Sequence, residues 1–143
     1  MIKVSDIMTF GVATIRAETP LLEALNLMHA HRIAGLPVVD EHSNLVGLVS
    51  EADFFGNDSE DCLVASLLEL NQPGRDAQLR QRITAEVMKT RPPVIDGDVP
   101  VADAARTIAQ RHVDRLPVVD AGKLVGMLSR SDLLNYLANP DRP

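Results

Sequence analysis

The pentapeptide Leu-Pro-Val-Val-Asp occurs twice, from Leu36 and from Leu116, and it constrains the fold more than any other feature of the chain. The offset is 80 residues (116 − 36), whereas the Val-Gly that follows each copy recurs at an offset of 79 (126 − 47). The missing residue falls in the intervening turn, Glu41–Asn44 in one copy and Ala121–Lys123 in the other. A repeat that loses one loop residue while its apolar and polar positions stay in phase is one structural unit used twice.

Each copy has the same order of signals. Thr14-Ile15 and Val94-Ile95 are short β-prone pieces. Pro20 and Pro100 then stand at the expected first position of a helix, where a missing N–H does no harm. Thr19 suits the N-cap before Pro20, and Asp98 stands in for the weaker Val99 before Pro100. Leu21, Leu25 and Met28 form an apolar stripe, matched by Val101, Ala105 and Ile108. Two β-branched runs separated by a polar turn, Leu36–Val39 with Leu45–Val49 and Leu116–Val119 with Leu124–Leu128, read as antiparallel hairpins. Their apolar residues are continuous, so both sheet faces should be covered. Gly47 and Gly126 sit mid-strand, a place for Gly where something approaches the backbone closely or a bulge forms. Second helices begin at Ser50 and Ser129. The unit is therefore β-α-β-β-α, and its apolar sheet is too large to bury alone.

The predicted segments are 1–58, a helical connector over 59–83, and 84–143. In the connector, Leu63, Leu67 and Leu70 have helical spacing, Asn71-Gln72-Pro73-Gly74 signals a turn, and Asp76–Val87 is a further helix. A frayed tail is expected over 139–143. A chain of 143 residues buries roughly 68–70% of its unfolded surface, enough for a core without staples. Cys62 is the single cysteine, so no internal disulfide forms and a cytoplasmic setting is expected. No apolar run reaches the roughly 20 residues of a membrane span, and the first residues do not read as a signal peptide. A net charge of −6 argues against a nucleic-acid partner gripped by a basic face, though not against a small anion.

The two LPVVD blocks, the Pro at each first-helix start, and Val-Gly-x-x-Ser-x-x-Asp at Val46–Asp53 and Val125–Asp132 resemble the CBS-domain pair, or Bateman module. The resemblance covers Val4–Phe55 and Ala85–Leu137 and leaves the connector and tail outside. It implies an α+β fold of two tandem β-α-β-β-α units packed sheet to sheet about a pseudo-twofold axis. It further implies a free-standing regulatory module, not an enzyme. Such a module binds AMP, ADP, ATP or S-adenosylmethionine in clefts between the units and signals occupancy to an effector protein. Asp53 and Asp132 would accept from ribose hydroxyls, since a carboxylate can take both hydroxyls of a cis-diol. Ser50 and Ser129, at strand-to-helix junctions, would seat phosphate. Val38 and Val118, with Val39 and its mate, would wall the purine. Arg115 stands where family members carry a phosphate-reaching cation, whereas its counterpart is Gly35; Arg130 is a weaker candidate.

A plainer reading competes. Ser-x-x-Asp ahead of an apolar run is close to a capping box and needs no ligand, which would make the chain a ligand-free interaction or dimerisation module. The four His residues lack metal-ligand spacing, and no Gly-rich phosphate loop, nucleophile elbow or paired catalytic carboxylates are present. Leu133, Leu134, Tyr136 and Leu137, with Phe54 and Phe55, predict apolar surface beyond what two small sheets cover, and hence a homodimer.

Overall fold

The computed structural model describes residues 1–140, so the expected frayed tail lies partly outside the described residues. In chain order the elements are α1 (Val4–Ile7), α2 (Leu21–His31), β1 (Gly35–Val39), β2 (Leu45–Ser50), α3 (Leu63–Leu68), α4 (Gln72–Gln81), β3 (Lys89–Thr90), β4 (Ile95–Asp96), α5 (Val101–Arg111), β5 (Arg115–Asp120), β6 (Lys123–Ser129) and α6 (Arg130–Ala138). Short 3-10 turns cover Glu51–Phe54 and Thr84–Glu86. The strands form two three-stranded sheets, ordered β1-β2-β3 and β4-β5-β6, giving an α+β fold.

The chain divides into two compact units that do not follow the predicted segments. One holds Ala13–Glu41 and Val46–Arg91, the other Met1–Val12, His42–Leu45 and Pro92–Pro143. Residues 1–12, expected with the first repeat, thus pack with the second. Residues 84–91, expected with the second, pack with the first. Backbone pairing explains the exchange: Thr84 N donates to Thr19 O (2.8 Å), and Val4 N donates to Val99 O (2.9 Å). These two bonds are repeat equivalents, because 84 − 4 and 99 − 19 are both 80. Val4 and Thr84 are each fully buried, and the Thr84 hydroxyl is satisfied by Thr19 O at 2.8 Å.

In the unit holding α2, Leu21, Ala24 and Met28 face a core with Leu36, Val38, Val49, Phe54, Leu67 and Leu79. Leu25 only packs at the margin of that core. The other core gathers Val4, Met8, Ile95, Ala104, Ile108, Leu116, Val118 and Leu128. Ala104, not Ala105, fills the α5 stripe, since i and i+4 from Ala104 to Ile108 share a face. Pro20 and Pro100 are N-caps with extended ψ rather than first helical residues. No side chain caps either helix. Instead Arg82 O, at the end of the connector, receives Leu21 N–H (2.9 Å), and Ile2 O, in the exchanged segment 1–12, receives Val101 N–H (3.1 Å), so backbone carbonyls take up these end donors.

The connector differs from its predicted form. The expected turn at Asn71–Gly74 is the start of α4: the Asn71 side chain accepts from Gly74 N at 2.8 Å, and Pro73 sits where its missing N–H is harmless. The helix ends at Gln81, and Thr84–Glu86 follows as a separate turn. There Glu86 accepts from Ile83 N, which with the Arg82 side chain holds its carboxyl below the usual glutamate range. The second helix predicted after Ser50 is only a 3-10 turn, ended before Gly56 at φ +73°.

Both mid-strand glycines have the same cause. A Cβ on Gly126 would lie 2.8 Å from Met8 Sδ and 2.8 Å from Thr9 O; one on Gly47 would lie 2.8 Å from Met88 Sδ and 3.0 Å from Lys89 O. The close approach comes from the exchanged segments of the chain itself. Thr9 bridges Met127, and β3 pairs with β2 through Leu48↔Lys89 and Gly47↔Thr90.

Candidate functional site

Each unit carries one Ser-x-x-Asp element where a strand runs into a helical turn. There a backbone bond closes the open end of the hairpin onto the residue before its first strand, Glu51 N to Ala34 O and Arg130 N to Asp114 O, both 3.0 Å. The Ser and Asp then cap the turn. Asp132 Oδ2 accepts from Ser129 N (2.9 Å), and Ser129 Oγ accepts from Asp132 N (3.1 Å), a reciprocal capping box. In the other unit Asp53 Oδ2 accepts from both Ser50 N (2.7 Å) and Ser50 Oγ (3.2 Å). Capping is therefore present in both places.

Capping uses one oxygen of each carboxylate, and a carboxylate has about four acceptor positions. The remaining oxygen, Oδ1, meets a residue of the exchanged segment. Thr9 Oγ1 donates to Asp132 Oδ1 at 3.2 Å. Lys89 Nζ lies 3.7 Å from Asp53 Oδ1. Thr9 and Lys89 are repeat equivalents (89 − 9 = 80), so the two sites share a plan and differ in charge. The Asp53 side chain is only 6% exposed, while that of Lys89 is 71% exposed. Sequence reasoning missed both residues; the signal was the β-branched residue and Met that precede each, Ile7-Met8 and Val87-Met88, aligned with the same 80-residue offset.

Arg115 falls opposite Ser129 in the β5–β6 register and is half-buried, so its own unit supplies its neighbour. Cross-strand partners have side chains on one face, about 4.5–5.5 Å apart at Cβ. Arg130 turns away to Asp114, with Nη1 to Oδ1 at 3.3 Å between exposed side chains. Val38 and Val118, expected as walls for the purine, are both 0% exposed and belong to the two cores. A residue pointing into a closed core presents no surface to a purine. Phe54, expected on an apolar surface, is also core, at 3%. Phe55, Leu134 and Leu137 are exposed.

A cavity of roughly 870 Å³ opens elsewhere in the α2 unit, lined by Met28, Phe54, Val64, Leu67, Arg75 and Leu79 among others. Ser50, Asp53 and Lys89 do not line it. Among the described residues no group of His, Cys, Asp and Glu is placed to hold a metal ion, and no helix is long and apolar enough to cross a membrane. Cys62 is half-buried and caps α3, its Sγ accepting from Ala65 N at 3.5 Å.

Comparison with known proteins adds to this geometry. The CBS domain family matches residues 4–60 and 84–139. The chain is 36% identical over 136 residues to a CBS domain-containing protein of Dictyostelium discoideum, covering 94% of this chain and 90% of that one. It is 32% identical to the CBS domain-containing protein YhcV of Bacillus subtilis, covering 97% and 89%. Its fold is similar to the crystal structure of CBSX2 in complex with AMP, at a TM-score of 0.79 and 28% identity over 99% of this chain and all of that one. It is also similar to the CBS domain pair of protein MJ0100 in complex with 5-methylthioadenosine and S-adenosyl-L-methionine, at a TM-score of 0.73 and 26% identity over 95% and 99%. Against an inosine-5'-monophosphate dehydrogenase of Methanocaldococcus jannaschii the match spans 24% of the enzyme.

Proposed function

The chain belongs to the CBS-domain family, and from that premise we propose that it is a regulatory module, without catalysis of its own, that binds adenosine-containing ligands at its two Ser-x-x-Asp elements. What carries the reading is the pair of capped carboxylates, each with an oxygen left over beyond the cap. A ribose cis-diol is the ligand group that fits such an oxygen. Similarity to the AMP complex of CBSX2 supports AMP, ADP or ATP as the class, and similarity to the MJ0100 complex keeps S-adenosylmethionine within it. Ser129, opening the nine-residue α6, and Arg115 beside it favour an anionic group at the Asp132 element. Ser50 serves the corresponding place at Asp53. Occupancy is passed to an effector protein in the cytoplasm, and the module acts as a homodimer through exposed Phe55, Leu134 and Leu137.

One observation favours a second reading, a ligand-free interaction module: in both elements the Asp carboxylate already caps the turn by accepting from the Ser backbone N–H. Titration calorimetry with AMP, ATP and S-adenosylmethionine separates the two. Under the ligand reading, Asp53→Ala or Asp132→Ala loses a charged acceptor and weakens its own site about 10–150-fold, from roughly 1.5–3 kcal/mol. Under the capping reading either change costs about 0.5–2 kcal/mol of fold stability and alters no nucleotide response. A double variant that binds every ligand as wild type does rules out the ribose role. Sedimentation of the same samples should give about twice the 15.6 kDa chain mass, and a monomer at micromolar concentration with and without ligand sinks the dimer.

A further inference from the structure

Given adenosyl binding as proposed, and resting on it, we infer that Lys89 makes the Asp53 site selective for phosphorylated adenosines, while the Asp132 site admits unphosphorylated ones as well. The same carboxylate oxygen is covered in both units, by chemically different groups. Over Asp132 it is a neutral hydroxyl, Thr9 Oγ1 at 3.2 Å. A hydroxyl both donates and accepts, so an incoming ribose hydroxyl can share the carboxylate or take the place of Thr9 with hydrogen bonds conserved. Over Asp53 it is an ammonium, Lys89 Nζ at 3.7 Å from Oδ1, and the carboxylate beneath it is 6% exposed. The other oxygen of Asp53 is already doubly engaged by Ser50. A ribose can reach Asp53 only when Lys89 swings off.

Lys89 is free to do so. Its side chain is 71% exposed, and Asp53 is the ion-pair partner found for it among the described residues. A long, flexible stem lets the ammonium relocate by several ångströms without moving the β3 backbone. A nucleoside without phosphate offers the displaced cation nothing and leaves Asp53 without its counter-charge. A nucleotide offers a phosphate, so the ammonium exchanges one anion for another while the ribose takes its place on Asp53. At the other site the cation at hand, Arg115, stands opposite Ser129 and leaves Asp132 to Thr9. Removal of a cover by the ligand's own phosphate is thus built into one site only.

The test uses the full chain carrying Asp132→Asn, which leaves the Asp53 site active and keeps an acceptor for Ser129 N. Calorimetry with AMP and adenosine should show AMP preferred by about 10-fold or more, the scale of one charged hydrogen bond. Adding Lys89→Thr should weaken AMP, strengthen adenosine and bring the two to similar affinity; Lys89→Arg, which keeps the charge, should retain the preference. In the reverse background, Asp53→Asn, adding Thr9→Lys should raise the AMP-to-adenosine affinity ratio above that of Asp53→Asn alone, by about 10-fold. Equal binding of AMP and adenosine at the Asp53 site, or an AMP preference that survives Lys89→Thr, overturns the assignment and leaves the adenosyl reading standing. A chain that binds none of AMP, ATP, adenosine and S-adenosylmethionine at either site refutes the adenosyl reading and this assignment with it.

Discussion

Gly126 and Gly47 are placed by what crosses them. A methyl group on Gly126 meets a backbone carbonyl, Thr9 O, at 2.8 Å as well as Met8 Sδ. On Gly47 the corresponding carbonyl, Lys89 O, is at 3.0 Å. A thioether can rotate aside, whereas a carbonyl held in a strand bridge moves only with its backbone. Gly126→Ala should therefore cost about 1–3 kcal/mol, on the scale of overpacking, and Gly47→Ala less. Urea titration of the two variants reads this as an ordered loss in midpoint. A Gly126→Ala protein with the wild-type midpoint would mean that Thr9 does not seat against β6.

At the level of elements, the sequence reading succeeded where local chemistry and tertiary packing agree. Both hairpins, the first helices and the Ser–Asp turns follow from β-branched runs, helical spacing and capping chemistry. It failed where a signal has two meanings. Asn-Gln-Pro-Gly is a turn in isolation, but Asn as N-cap followed by Pro two positions on is equally a helix start, and Leu79 gives α4 a core residue to bury. It failed again where the decisive partner is remote. Lys89 and Thr9 looked like ordinary polar residues because the carboxylates they cover lie far along the chain, 123 residues away in the case of Thr9. A continuous apolar strand does not declare which face meets a ligand, and the side chains of Val38 and Val118 lie in the cores. The mid-strand glycines announced a close approach or a bulge, and the structure shows the close approach.

For the molecule as a whole, the exchange of segments sets which parts depend on which. Val4 and Met8 are buried in the core of the unit that holds Pro92–Pro143. Removing residues 1–9 takes these side chains away, each worth about 1.5–3 kcal/mol when fully buried, and strips Thr9 from the edge of β6. The expected result is faster hydrogen exchange in β4, β5 and β6, with protection in β1 and β2 kept. Equal loosening of both sheets, or none, would show that the amino-terminal segment does not belong to the second sheet's unit.

The same arrangement has a consequence for synthesis on the ribosome, which proceeds from the amino end. By the time Arg91 has emerged, all of Ala13–Glu41 and Val46–Arg91, the residues that pack around α2, are available, and that unit can close. Met1–Val12 is already outside the tunnel and still lacks its partners, since Val99 and Met127 are yet to emerge. Met1–Val12, made before the α2 unit, is thus placed after it, and until then Val4, Ile7 and Met8 form a waiting apolar segment open to a chaperone or to a neighbouring nascent chain.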